Sequence, residues 1–216
     1  MIRTTVRGFG QTLITIGLIV LLFATYEVYG KGAEVIAAQH KLEDSLKSDW
    51  AAGRRAVKLE KPVLGKGMAR LYIPRLNKEW AVVEGTDPQY IKHAPGHYPK
   101  SALPGQVGNF AIAGHRMPSV WWNLELMRNG DALVVETKTA WMVYKVYKSH
   151  IVLPTAMEVV APDPDRPGAE PTRKLITLTT CNPKWDNYER LIVHGELSRE
   201  LPKSMGEPIE LAGMRG

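Results

Sequence analysis

From Gly8 to Tyr26 the chain carries no charge, and Leu, Ile and Val dominate the run. About 20 apolar residues cross the ~30 Å hydrocarbon core as a helix. The pattern therefore predicts a transmembrane anchor over 9–28, with Arg3 and Arg7 holding a short N-terminus, 1–8, in the cytoplasm. A cleaved signal peptide is the competing reading, but the exit TYEVYGKG offers no small-x-small cleavage site. The chain after the anchor then lies outside the cytoplasm. Residues 29–62 read as an extracytoplasmic stalk, partly helical. Val35, Ala38, Leu42, Leu46 and Trp50 form a stripe at spacings of three and four. That stripe suits a helix continuing from the anchor or folding back on the domain, and a plain spacer is the simpler reading. Gly53-Arg54-Arg55 and Pro62 close the segment.

From Val63 the texture changes to short apolar runs cut by Gly and Pro. Met68–Ile73, Glu79–Glu84, Asn109–Ala113, Ala132–Glu136, Trp141–Tyr147, Lys174–Thr180 and Leu191–Glu196 read as strands. Asp87-Pro88 opens a short helix through Ile91, and Val120–Met127 reads as a turn of helix. Seven or eight short strands with few helices predict a mainly β fold, a closed or nearly closed β-barrel over 63–204, with a short C-terminal tail over 205–216. The connection Pro154–Arg173 carries five prolines and a Thr155-x-x-Glu158 pattern that reads as a capping box. Long connections of this kind in a compact domain are often functional.

Composition narrows the class. In 216 residues, hydrophobic side chains make up 44% and charged ones 23%, which excludes wholesale disorder. The net charge of +6 is spread along the chain with no dense basic run, so nucleic acid is not an expected partner. One cysteine excludes an intrachain disulfide framework and a zinc site built on several cysteines.

That cysteine, Cys181, follows the apolar run LITLTT and precedes Asn182-Pro183. A strand entering a proline-broken turn presents its last residue at the sheet edge, where a nucleophile can be both rigid and accessible. A thiol nucleophile needs a group to take its proton. Of six histidines, only His115 shares the setting, at the end of an apolar strand and before a polar turn. Acyl transfer also needs a donor for the developing oxyanion. Arg190 opens the strand RLIVHGEL nine residues after Cys181, so the two are expected side by side on adjacent strands. Taken singly, each residue has a plainer role: a cysteine as a small core hydrophobe, a structural histidine, a solvated edge arginine.

Together these segments resemble the sortases. TLTTC (177–181) is similar to that family's TLxTC signature, NFAIAGHR (109–116) to the strand ending in its histidine, and Arg190 to the arginine opening the next strand. The resemblance spans roughly 63–200. The flanking residues, Asn182-Pro183 and HYPKSALPGQ before the histidine strand, resemble class E sortases most. It implies an eight-stranded sortase barrel bearing a cysteine transpeptidase. Such an enzyme cuts an LPxTG- or, in class E, LAxTG-type sorting signal between Thr and Gly. It passes the thioester to an amine of a peptidoglycan precursor or a pilin lysine. By position it implies Cys181 as nucleophile, His115 as general acid/base and Arg190 as oxyanion stabiliser, with Tyr98 and Thr180 contacting substrate and no cofactor. Asp163, Asp165 and Glu170 would be calcium ligands on the precedent of some class A sortases; solvated loop carboxylates are the plainer reading, and no metal is expected. The partners implied are secreted proteins bearing sorting signals, the amine acceptor and the membrane. Against other classes, an L,D-transpeptidase would show His-Gly-Cys, and a papain-type peptidase would put its Cys before its His. A membrane-tethered β-barrel binding module with an inert core cysteine remains the non-catalytic alternative.

Overall fold

The computed structural model describes residues 2–51 and 62–214. The Gly53-Arg54-Arg55 segment lies outside the described residues. Helix α1, Ile2–Thr25, is joined through a π-helical turn at Tyr26–Gly30 to α2, Lys31–Ala51. Thr5–Thr25 is long and apolar enough to cross a membrane and is not buried against the rest of the protein.

The strands are β1 Gly67–Ile73, β2 Lys78–Glu84, β3 Gly96–His97, β4 Gly108–Ala113, β5 Ala132–Glu136, β6 Ala140–Val152, β7 Lys174–Asn182 and β8 Glu189–Pro202. They close into a barrel in the order β1-β2-β3-β4-β7-β8-β6-β5. Period-2 alternation sends Leu71, Ile73, Trp80, Val82, Phe110, Ile112, Ile176, Leu178 and Val193 into one interior cluster. The eight-stranded β-barrel expected from the sequence is therefore the fold observed.

Several boundaries differ from the sequence reading. Strands β6 and β8 run well beyond Trp141–Tyr147 and Leu191–Glu196, because the polar outer half of each, 148–152 and 197–202, pairs with the apolar half of the other. Strand β3 was missed, since two residues carry no readable periodicity. The Val120–Met127 turn reduces to a 3₁₀ turn at Leu124–Leu126. Asp87 does stand at the N-cap of α3, Pro88–Ile91, although its side chain makes no capping bond. The Thr155/Glu158 box does not form: the 3₁₀ turn Met157–Val160 starts from Ala156 with no side-chain cap. After the barrel, Leu211 packs with Tyr72, Val134 and Trp141 in a second cluster, so the tail is tied down at that point.

The stalk is not a plain spacer. The stripe on α2 turns inward, with Val35 and Leu46 buried and Val35 part of the barrel's main cluster. Each such burial stabilises by about 1.5–3 kcal/mol. Because β3 is so short, β2 lacks a full partner on that side. Gln39 fills the gap: its Oε1 accepts from the Ala81 N–H (2.7 Å), and its Nε2 donates to the carbonyls of His93 (3.0 Å) and Ala81 (3.4 Å).

Candidate active site

Strands β4 and β7 run parallel in register, with Ala113 opposite Thr179. The ladder continues one step, as the Gly114 N–H donates to the Thr179 carbonyl at 3.0 Å. One residue further, His115 arrives level with Cys181. Gly114 is needed for this close fit: a Cβ there would lie 2.7–2.9 Å from the ring of buried Trp121. On its other side β7 pairs antiparallel with β8, and Cys181 stands directly opposite Arg190. Directly opposed residues share a face, with Cβ atoms about 5 Å apart.

Cys181 is half-buried, so it is not a core residue. Cys181 and His115 line a groove of about 660 Å³. One wall comes from the β7–β8 turn through Trp185 and Asp186, the other from α2 and α3 through Glu34, Val35, Lys92 and His93. His115 reaches solvent through the groove, yet the protein packed around its ring lowers its pKa below the ordinary histidine value by desolvation. Its imidazole is neutral at pH 7.

Arg190 does not line the groove. Its Nη1 donates to the carbonyls of Asn187 and Glu189, both at 2.7 Å, which ties the guanidinium to the β7–β8 turn. Among the described residues no direct hydrogen bond joins Cys181 to His115 or to Arg190. Strand register brings the three residues to neighbouring positions at the ends of β4, β7 and β8.

Tyr98 shares a hydrogen bond with the Thr179 hydroxyl at 3.2 Å, and its N–H donates to the Ala111 carbonyl. Thr179 and Cys181 alternate onto the same face of β7, so Tyr98 lies two residues along the face that carries the thiol. Thr180 does not meet the expectation of a substrate contact. It alternates inward with Ile176 and Leu178 and is 2% exposed, so its side chain does not reach the groove. The calcium reading of the Pro-rich connection also meets a correction. Asp163 accepts from Arg166 and Arg173, and Asp165 from Arg173 and Lys148. The Arg173 hydrogen bond holds Asp165 down at about 2, and these carboxylates latch the loop as anions rather than standing open to a cation.

Four residues, Glu34, Val35, Trp185 and Arg116, escape sequence reasoning. Glu34 and Val35 were assigned to the stalk, and nothing in their spacing says that they wall a groove. Trp185 is 89% exposed at φ 75°, a rare conformation for a bulky side chain, and stacks edge-on against Trp122 at 4.7 Å. Arg116, next to His115, sends its guanidinium to the Cys181 backbone.

A family model for the sortase domain matches residues 71–198. Among curated proteins the chain is 33% identical over 212 residues to Sortase SrtE1 of Streptomyces coelicolor, covering 94% of this chain and 60% of that protein. The chain thus spans about three fifths of that relative's length. It is 31% identical over 207 residues to Sortase SrtE2 of the same organism, covering 88% and 81%. Among solved structures, the SrtA sortase from Actinomyces oris matches with a TM-score of 0.67 at 35% identity, over 70% of this chain and 90% of that one. Sortase E1 from Streptomyces coelicolor, solved with a tripeptide in the active site, matches with a TM-score of 0.64 at 34% identity, over 68% and 97%. The domain match covers more than half of the sequence and falls on a barrel shared with solved sortases: the chain belongs to the sortase family.

Proposed function

We propose that this sortase is a membrane-anchored enzyme that cuts an LAxTG- or LPxTG-type signal between Thr and Gly. It holds the N-terminal part as a thioester on Cys181 and passes it to an amine of a peptidoglycan precursor or a pilin lysine. The observation that carries the reading is the shared groove, lined by Cys181 and His115 with Arg190 in register beside the thiol. The tripeptide held by Sortase E1 supports a peptide as occupant. The apolar helix Thr5–Thr25, with Arg3 and Arg7 at its start, supports an anchor with a cytoplasmic N-terminus and an external barrel.

The chemistry balances on one circulating proton. Neutral His115 takes the Cys181 proton, and the thiolate attacks the Thr carbonyl. Arg190 meets the developing oxyanion as a fixed cation. His115 returns the proton to the Gly nitrogen as the C–N bond breaks, leaving a C–S acyl bond. The acceptor amine then attacks, its proton goes to His115, and the C–S bond breaks with Cys181 reprotonated. No cofactor enters the scheme. Tyr98, bonded to Thr179 on the thiol's face of β7, contacts the residue that follows Leu in the signal.

The experiment is incubation of the full chain in detergent micelles with LAxTG and LPxTG peptides plus candidate amines, read by mass spectrometry. A peptide–amine product that disappears in Cys181→Ala is expected. Equal product from Cys181→Ala would refute the reading.

A further inference from the structure

Arg116 is almost fully buried, with 4% of its side chain exposed, and its three nitrogens spread over four acceptors. Nη1 donates to the Cys181 carbonyl at 3.1 Å and to Asn182 Oδ1 at 3.3 Å. Nε donates to the Trp122 carbonyl at 3.1 Å, and Nη2 to Glu125 Oε2 at 2.8 Å. One guanidinium thus joins the end of β7, which carries the thiol, to the segment following β4, which carries the imidazole. The covalent link from Arg116 back to His115 is one residue long.

We propose that Arg116 is a positioning residue that sets the spacing between Cys181 and His115. The proposal rests on the reading of those two as the reacting pair. Strand pairing brings them level only through the ladder bond at Gly114, and both stand at strand ends, where sheets fray. Arg116 bridges the two ends beyond the last ladder bond. A planar fork with donors in fixed directions is required, because a lysine ammonium at one point cannot reach acceptors on three segments. The surroundings hold the fork in turn. Glu125 is shared with Lys184, whose ammonium lies over the Trp122 ring at 4.9 Å. Lys184 and Trp185 belong to the same turn that walls the groove, so the network also fixes that wall. A displacement of about 1 Å between reacting groups costs on the order of 10²-fold in rate.

The test compares wild type, Arg116→Gln and Arg116→Lys in the full chain in micelles. Active thiols are titrated so that kcat is expressed per reactive Cys181. The expected result is a kcat lower by roughly 10–100-fold in both variants, a KM within about threefold, and no rescue by lysine. The second readout is alkylation of Cys181 by iodoacetamide against pH. In wild type, His115→Gln is expected to change that profile; in the Arg116→Gln background the same substitution is expected to leave it unaltered. A purely structural role would lower the active fraction and leave kcat per thiol and the His115 dependence intact, which would overturn the proposal. Failure of both variants to fold would also overturn it, by making Arg116 a requirement of the fold. The two readings fail separately: absence of transfer by wild type counts against the transpeptidase, whereas the alkylation profiles report on Arg116 without any substrate.

Discussion

Arg190 is held from two directions. Its Nη1 is tied to the carbonyls of Asn187 and Glu189, while its place in the ladder holds it opposite Cys181. Arg190→Ala is therefore expected to lower kcat by roughly 10²–10³, the size of losing one oxyanion donor; a loss under threefold in steady-state assays would leave Arg190 only the turn to hold. A second residue carries a stability signature. His194 sits on β8 with Nδ1 2.8 Å from the Thr177 hydroxyl, stacked between Tyr147 and His150 and surrounded by Lys148, Asp165 and Arg173. Burial, assisted by His150 and Lys148, lowers its pKa to about 4. The unfolded chain then binds a proton at a higher pH than the folded one. Stability is full above about pH 6.5 and falls as the pH drops toward 4. This group alone is expected to cost about 2 kcal/mol between pH 7 and pH 5. Denaturant melts across that range check it, and His194→Gln should flatten the dependence. Cys181 and Arg190 are readable because one closes and the other opens an apolar strand. Arg116 was not, because its acceptors on β7 lie 65 and 66 residues away in sequence.

At the level of elements, α2 is where sequence and structure part. The stripe of Val35, Ala38, Leu42, Leu46 and Trp50 was visible, but the same period serves a free spacer and a helix packed on a sheet. What decides between them is Gln39, a polar residue that no hydrophobic pattern singles out. It completes the hydrogen bonding of β2 at Ala81, where the two-residue β3 cannot. Gln39→Ala strands a buried N–H and is expected to destabilise the protein by about 1–3 kcal/mol. Thermal denaturation measures this, and an unchanged midpoint would return α2 to the status of a tether. Strands β6 and β8 illustrate the converse. Their apolar halves are legible, whereas the polar outer half of each extends as a strand by pairing with the apolar half of the other, which a single-strand pattern does not encode.

At the scale of the whole molecule, barrel closure follows from strand count and alternation, but the strand order does not. The parallel β4–β7 contact, which sets His115 beside Cys181, joins segments separated by two other strands in sequence. Local patterns therefore reach the elements and the motif residues, and the spatial convergence needs the folded chain. With Glu34 and Val35 on its wall, the groove is also bound to the helix that leads from the apolar span. The helix that follows the apolar span thus packs directly on the groove.

In the proposed reaction Cys181 accepts an acyl group from a peptide carbonyl. Intact-mass spectrometry of the full chain, mixed with an LAxTG peptide without added amine and quenched in acid, tests it most directly. A mass increase equal to the acyl fragment ending at Thr, mapped to Cys181 and released by hydroxylamine, is expected. An unmodified chain in the presence of consumed peptide, or the same adduct on a Cys181→Ala chain, would contradict it.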